Sequence, residues 1–62
     1  MILIIQINHL YIEYKELKAL AKANNIKLMK SRYDVVSTKD IEGAMKLLAL
    51  APANSIKIRK AA

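Results

Sequence analysis

The chain has no cysteine, tryptophan or phenylalanine, and only one glycine, one proline and one histidine among its 62 residues. Without cysteine there is no disulfide and no thiolate metal site. A single histidine leaves a structural zinc ion short of its usual ligands, and Asp34, Asp40 and Glu42 do not have calcium-loop or two-metal spacing. The sequence therefore predicts no metal and no cofactor. Its only glycine, Gly43, falls within a helical pattern, which rules out a glycine-rich phosphate loop; there it either permits close packing or marks a tolerated weak point of the helix. So short a chain buries a modest fraction of its surface and needs a further source of stability, and with disulfides and metals excluded another chain is what remains. The 55% apolar content points the same way. We read residues 1–62 as one domain that is a homo-oligomer or meets a protein partner.

Acidic residues are also scarce. Five Asp and Glu stand against eleven Lys and Arg, a formal charge of +6 with a pI near 9.9, a balance that favours polyanion partners. Nine of the eleven are lysine and only Arg32 and Arg59 are arginine, which suits diffuse phosphate attraction better than bidentate base reading. Long apolar runs are missing as well. The opening MILIIQI is too short to span a bilayer and lacks the basic start and small-residue cleavage site of a signal peptide. The expectation is a soluble cytoplasmic chain with no membrane partner.

What is present begins with that opening run. Ile2, Leu3, Ile4, Ile5 and Ile7 make both faces of a strand apolar, the pattern of a central strand covered on both sides. Asn8 and His9 end it. From Ile12 to Asn24, the residues Tyr14, Leu17, Leu20, Ala21 and Asn24 recur at helical steps while Lys15, Lys18 and Lys22 lie off the stripe, so an amphipathic helix is expected. Glu13 and Glu16 sit near its start and Lys22 near its end, as the helix dipole prefers, and Asn24 with Asn25 can supply a left-handed stop.

Ile26–Ser31 (IKLMKS) reads as a second strand, and Tyr33 to Val36 either extends it or forms a loop held by Asp34. Ser37 or Thr38 is a candidate N-cap, with Asp40 at capping-box spacing from Ser37, for a second helix that runs to about Leu50 and is stopped by Pro52. Its stripe of Ile41, Ala44, Met45, Leu48 and Ala51, widened by Leu47 and Leu50, exceeds half the circumference. Ile56–Lys60 (IKIRK) alternates as a half-exposed edge strand.

The order strand, helix, strand, helix, strand gives an α/β or α+β domain whose three-stranded sheet has the first strand central. Two arrangements satisfy it. Parallel crossovers in strand order 2-1-3 would put one helix on each face. An antiparallel or mixed sheet would carry both helices on one face and bury the other against a second subunit. The apolar residues expected at such an interface are Ile2, Ile4, Leu47 and Leu50.

For chemistry, His9 with Asp34 is the one pairing that resembles an acid–base site, and the sequence predicts no catalytic residue. The basic residues carry more. Lys27, Lys30 and Arg32 lie along the second strand and Lys57, Arg59 and Lys60 along the third, and a patch of this kind holds phosphates of RNA or DNA without reading sequence. Tyr11, Tyr14 and Tyr33 are read as packing residues before stacking platforms.

The segment LAKANNIKLMKSRYDVVST, Leu20 to Thr38, resembles the part of DRTGG-type regulatory domains where a helix ending in Leu-Ala leads to a strand and a Tyr-Asp turn. That resemblance implies a regulatory module. The size, basicity and element order, with Thr38, Ile41 and Gly43 at the spacing of its second-helix motif, are similar to the ribosomal protein family L-thirty, with Lys39 where that family has proline. That resemblance implies RNA binding through basic strands and loops. The expected function is a small basic binding protein, not an enzyme, that contacts nucleic-acid phosphates. The alternative is a protein-interaction or regulatory module acting through an apolar interface.

Overall fold

The computed structural model describes residues 1–32 and 34–61. Within them the chain forms β1 (Leu3–Ile7), α1 (Tyr14–Ala23), β2 (Met29–Arg32), β3 (Val35–Thr38), α2 (Ile41–Leu50) and β4 (Ile56–Lys60). The strands build one four-stranded sheet in the order β2-β3-β1-β4, with β1 internal as its apolar sequence requires. Every neighbouring pair is antiparallel. Each helix therefore joins two strands that are not adjacent: α1 carries the chain from β1 past β3 to β2, and α2 carries it from β3 past β1 to β4. This is the split βαβ, ferredoxin-like topology.

Of the two arrangements the sequence leaves open, the sheet is the antiparallel one, and the parallel order 2-1-3 with a helix on each face is not found. The expected three strands become four, because the stretch after Arg32 turns back and Val35–Thr38 pairs with both β2 and β1. Ser37 and Thr38, read from the sequence as helix caps, belong to that strand. Their hydroxyls are absorbed by the fold. Ser37 Oγ donates to the Met29 carbonyl at 3.4 Å, and Thr38 Oγ1 donates to the Lys27 carbonyl at 2.9 Å while accepting the Asp40 amide at 3.0 Å. The cap of α2 is Asp40, whose carboxylate accepts the Gly43 amide at 2.8 Å.

One face of the sheet carries the core. Leu3, Ile5 and Ile7 of β1, Val36 of β3 and Ile56 of β4 cluster with Leu17 and Ala21 of α1 and Ala44 and Leu47 of α2. Ile12 and Ile26 close the ends of that layer. Ile26 is delivered by the stop of α1, where its amide donates to the Ala21 carbonyl at 2.8 Å and the Asn25 amide to Lys22 at 3.2 Å. Together these bonds form a Schellman motif with Asn25 at φ 57° in the left-handed position. Leu47, expected at an interface, is wholly inside this core and has no surface to offer a partner. Among the described residues no helix is long and apolar enough to cross a membrane.

Candidate nucleic-acid interface

The strand registers sort every sheet side chain to one of two faces, since directly paired residues share a face. Lys30, Val36, Ile5 and Ile58 form a cross-strand row on the helix side. The next row, Arg32, Val35, Gln6 and Lys57, looks the other way, and so does the row Met29, Ser37, Ile4 and Arg59. No element of the described chain covers these two rows. Gln6, Lys57, Arg59, Arg32 and Met29 are exposed there, with Ile4 and Val35 half-buried between them.

Arg32 reaches this face through an irregularity. The β2–β3 register shifts between Lys30 and Arg32, so Ser31 is an extra residue on β2. In an unbroken strand, Lys30 and Arg32 would point to the same side, because side chains alternate with a period of two. The bulge inverts that parity and turns Arg32 to the open face. Across four strands, Arg32 and Lys57 then stand about 14 Å apart at the spacing of hydrogen-bonded strands, with a shallow apolar and amide floor between them.

The net charge lies on the strands and not on the helices. The helices and their caps carry Lys15, Lys18, Lys22 and Lys46 against Glu13, Glu16, Asp40 and Glu42, so the helical layer is neutral. The whole +6 resides on the strands and their connections, where Lys27, Lys30, Arg32, Lys39, Lys57, Arg59 and Lys60 meet only Asp34. Asp34 sits in the β2–β3 connection, its carbonyl accepting the Ile7 amide at 2.8 Å. The open rows contain no carboxylate.

Of the six basic residues expected to act together, the fold brings Arg32, Lys57 and Arg59 onto this face. Lys30 is diverted to the helix side, where its Nζ lies 4.6 Å from the centroid of the Tyr14 ring on α1. Lys60 shares a row with Leu3 at the helix-side margin of β4. Lys27 precedes β2 and, with Lys39, Met29, Thr38 and Asp40, lines a small cleft at the end of the sheet where β1 begins. Lys39 was not among the expected residues, and its only sequence signal is a lysine next to a helix cap. Tyr11 is exposed in the turn after β1, and Tyr33 lies outside the described residues. Among the described residues no aromatic side chain lies on the open rows, so the face itself offers no stacking platform.

At the opposite end of β1 a second cleft of about 270 Å³ opens between the turn after β1 and the turn before β4. Gln6, Asn8, His9, Asn54 and Lys57 surround it, over Ile7 and Ile56. The His9 ring, paired with Asp34 in the sequence reading, stands with its Nδ1 3.7 Å from the Glu13 carboxylate. Among the described residues no group of three or more His, Cys, Asp or Glu could hold a metal ion. The expected interface residues divide. Ile2 is partly exposed and Ile4 half-buried on the open side of β1, Leu50 is exposed on α2, and Leu47 is core.

Compared with models of protein families, with curated proteins and with solved structures, the chain matches none of them.

Proposed function

We propose that this chain is a non-enzymatic nucleic-acid-binding protein that holds the phosphate backbone of RNA or DNA on the open face of its sheet. The observation that carries the proposal is the composition of the open face: Arg32 at one edge and Lys57 with Arg59 at the other, with no carboxylate in its rows, beside helices whose own charges cancel. Charges placed this way attract phosphate without requiring a base sequence. The uncharged floor between the two edges, Val35 and Gln6 in one row, leaves room for a single strand lying across the sheet.

Fluorescence anisotropy with labelled RNA and DNA, single- and double-stranded, at low and at physiological salt, tests it. The wild type should bind with a steep inverse salt dependence, and Lys57→Glu with Arg59→Glu should abolish binding at physiological salt. Undiminished binding by that double variant would remove the face from consideration.

A second reading has its own observation. Ile41, Met45 and Leu48, one turn apart along α2, are 46%, 54% and 44% exposed, an apolar stripe suited to a protein contact, either a second copy of the chain or another partner. Such a contact would hardly respond to salt. Light scattering of the wild type and of Met45→Glu tests self-association directly: a dimer mass that falls to monomer in the variant supports it, and a monomer mass in both excludes a second copy.

A further inference from the structure

We propose that the cleft at the end of β1 and β4 accepts one nucleobase, adenine above the others, of a strand held on the basic face. The inference rests on the nucleic-acid reading above and adds the element that reading lacks, a source of base preference.

The cleft and the face share residues. Gln6 and Lys57 belong both to the open row that begins at Arg32 and to the cleft wall, so a strand running along that row passes the cleft mouth. The lining is rich in primary amides: Gln6 on β1, Asn8 just beyond it, and Asn54 before β4. An amide presents a donor and an acceptor side by side, the arrangement that pairs with the adjacent donor and acceptor of adenine. One of these groups is partly engaged, since Asn8 Oδ1 accepts the Leu10 amide at 3.0 Å and leaves its NH₂ for a ligand.

The walls are held in place before anything binds. The Asn8 amide donates to the Ser55 carbonyl at 2.8 Å, tying the two turns together, and the Ser55 amide closes its own turn on Pro52 at 3.0 Å. Asn54 occupies the left-handed region at φ 65°, which asparagine tolerates better than most residues. Ile7 and Ile56, paired across β1 and β4 and only 4% and 5% exposed, anchor the two strands that carry the cleft in the core beneath it. The volume is close to the lower end of ordinary ligand sites, enough for one ring system and too little for several stacked bases. Among the described residues no carboxylate lines the cleft to repel the phosphates that accompany the base.

The test is anisotropy with homopolymeric oligonucleotides of A, T and C at one salt concentration, using the wild type, Gln6→Thr and Asn54→Gly. Threonine keeps the strand preference of position 6, glycine keeps the left-handed backbone of position 54, and thermal melts establish that both variants fold. The wild type is expected to bind the A oligomer about ten-fold more tightly than the others, the discrimination of one good bidentate contact, and each variant to lose most of that ratio without a change in salt slope. Wild-type binding that depends on salt but is equal for all bases overturns the base cleft and leaves the phosphate face standing. A preference that survives in both variants also overturns it. No binding to any oligomer overturns the nucleic-acid reading itself. Free adenosine monophosphate that binds as tightly as the A oligomer would overturn the strand as the source of the base.

Discussion

Gly43 and Ile26 meet so closely that a Cβ built on Gly43 would stand 2.9 Å from the Ile26 Cγ2, and nearer still to the Asp40 carboxylate. Two anchoring devices converge there, the Schellman stop that fixes Ile26 and the N-cap that fixes Asp40. In an open helix Gly→Ala stabilises by about 1 kcal/mol. Here the added methyl must displace the capping carboxylate, worth about 0.5–2 kcal/mol, and push on a buried isoleucine, with overpacking typically costing about 1–3 kcal/mol. Gly43→Ala is therefore expected to lower the melting temperature, and combined with Asp40→Ala to cost less than the two changes summed. A melting temperature raised by Gly43→Ala would mean that the side chains yield at no cost.

Thr38 is fully buried, and its hydroxyl bridges the segment before β2 to the cap of α2. Thr38→Val keeps the shape and removes both hydrogen bonds, leaving the Lys27 carbonyl and the Asp40 amide to find other partners. The expected loss is about 1–3 kcal/mol in denaturant unfolding, with Thr38→Ser recovering much of it. A Val variant as stable as the wild type would show that water or backbone adjustment satisfies both groups.

The bulge at Ser31 assigns different tasks to two neighbouring cations. Arg32→Ala should reduce the slope of log K against log salt by about 0.7, the value for one phosphate contact on a single strand. Lys30→Ala should leave the slope unchanged, because Lys30 lies over Tyr14 on the helix side. Lys15→Ala and Lys18→Ala, each removing one charge from α1 as Arg32→Ala removes one from the sheet, provide the control for net charge. If those helix substitutions lower the slope as much as Arg32→Ala does, the charge acts globally and the face has no special part.

How far the sequence discloses this fold depends on which period dominates each segment. The central place of β1 is readable because Leu3, Ile5 and Ile7 demand a core and Ile2 and Ile4 make the other face apolar too. That second face predicts a covering layer, yet Ile4 is only half-buried, flanked by its row neighbours Ser37 and Arg59 and not by a helix. β3 was not readable as a strand of its own. Ser37 and Thr38 are good cap residues by local chemistry, and only the tertiary bonds to Met29 and Lys27 make them strand residues. β2 begins at Met29, later than the alternation of Ile26 and Leu28 predicts, for a related reason: Ile26 serves the end of α1. Arg32 and Lys57 are both legible in the sequence as candidate phosphate contacts. Nothing in the one-dimensional pattern announces the bulge that brings them onto one face.

Leu47 and Leu50 separate core from surface within a single turn of α2. The helical period places Leu47 with Gly43, Ala44 and Ala51 on the buried side, and all four are indeed buried, whereas Leu50 is 48% exposed. Leu47→Ala should therefore cost about 2–5 kcal/mol, the range for a fully buried leucine that leaves a cavity. In a monomer Leu50→Ala should cost well under 1 kcal/mol, as an exposed side chain away from any special feature does. The comparison also reports on oligomeric state, because unfolding measured at two protein concentrations distinguishes the cases. If Leu50→Ala destabilises as strongly as Leu47→Ala and the midpoint rises with concentration, the exposed side of α2 is covered by another chain in solution. If the midpoint is independent of concentration and only Leu47 matters, the four strands and two helices hold together as a monomer.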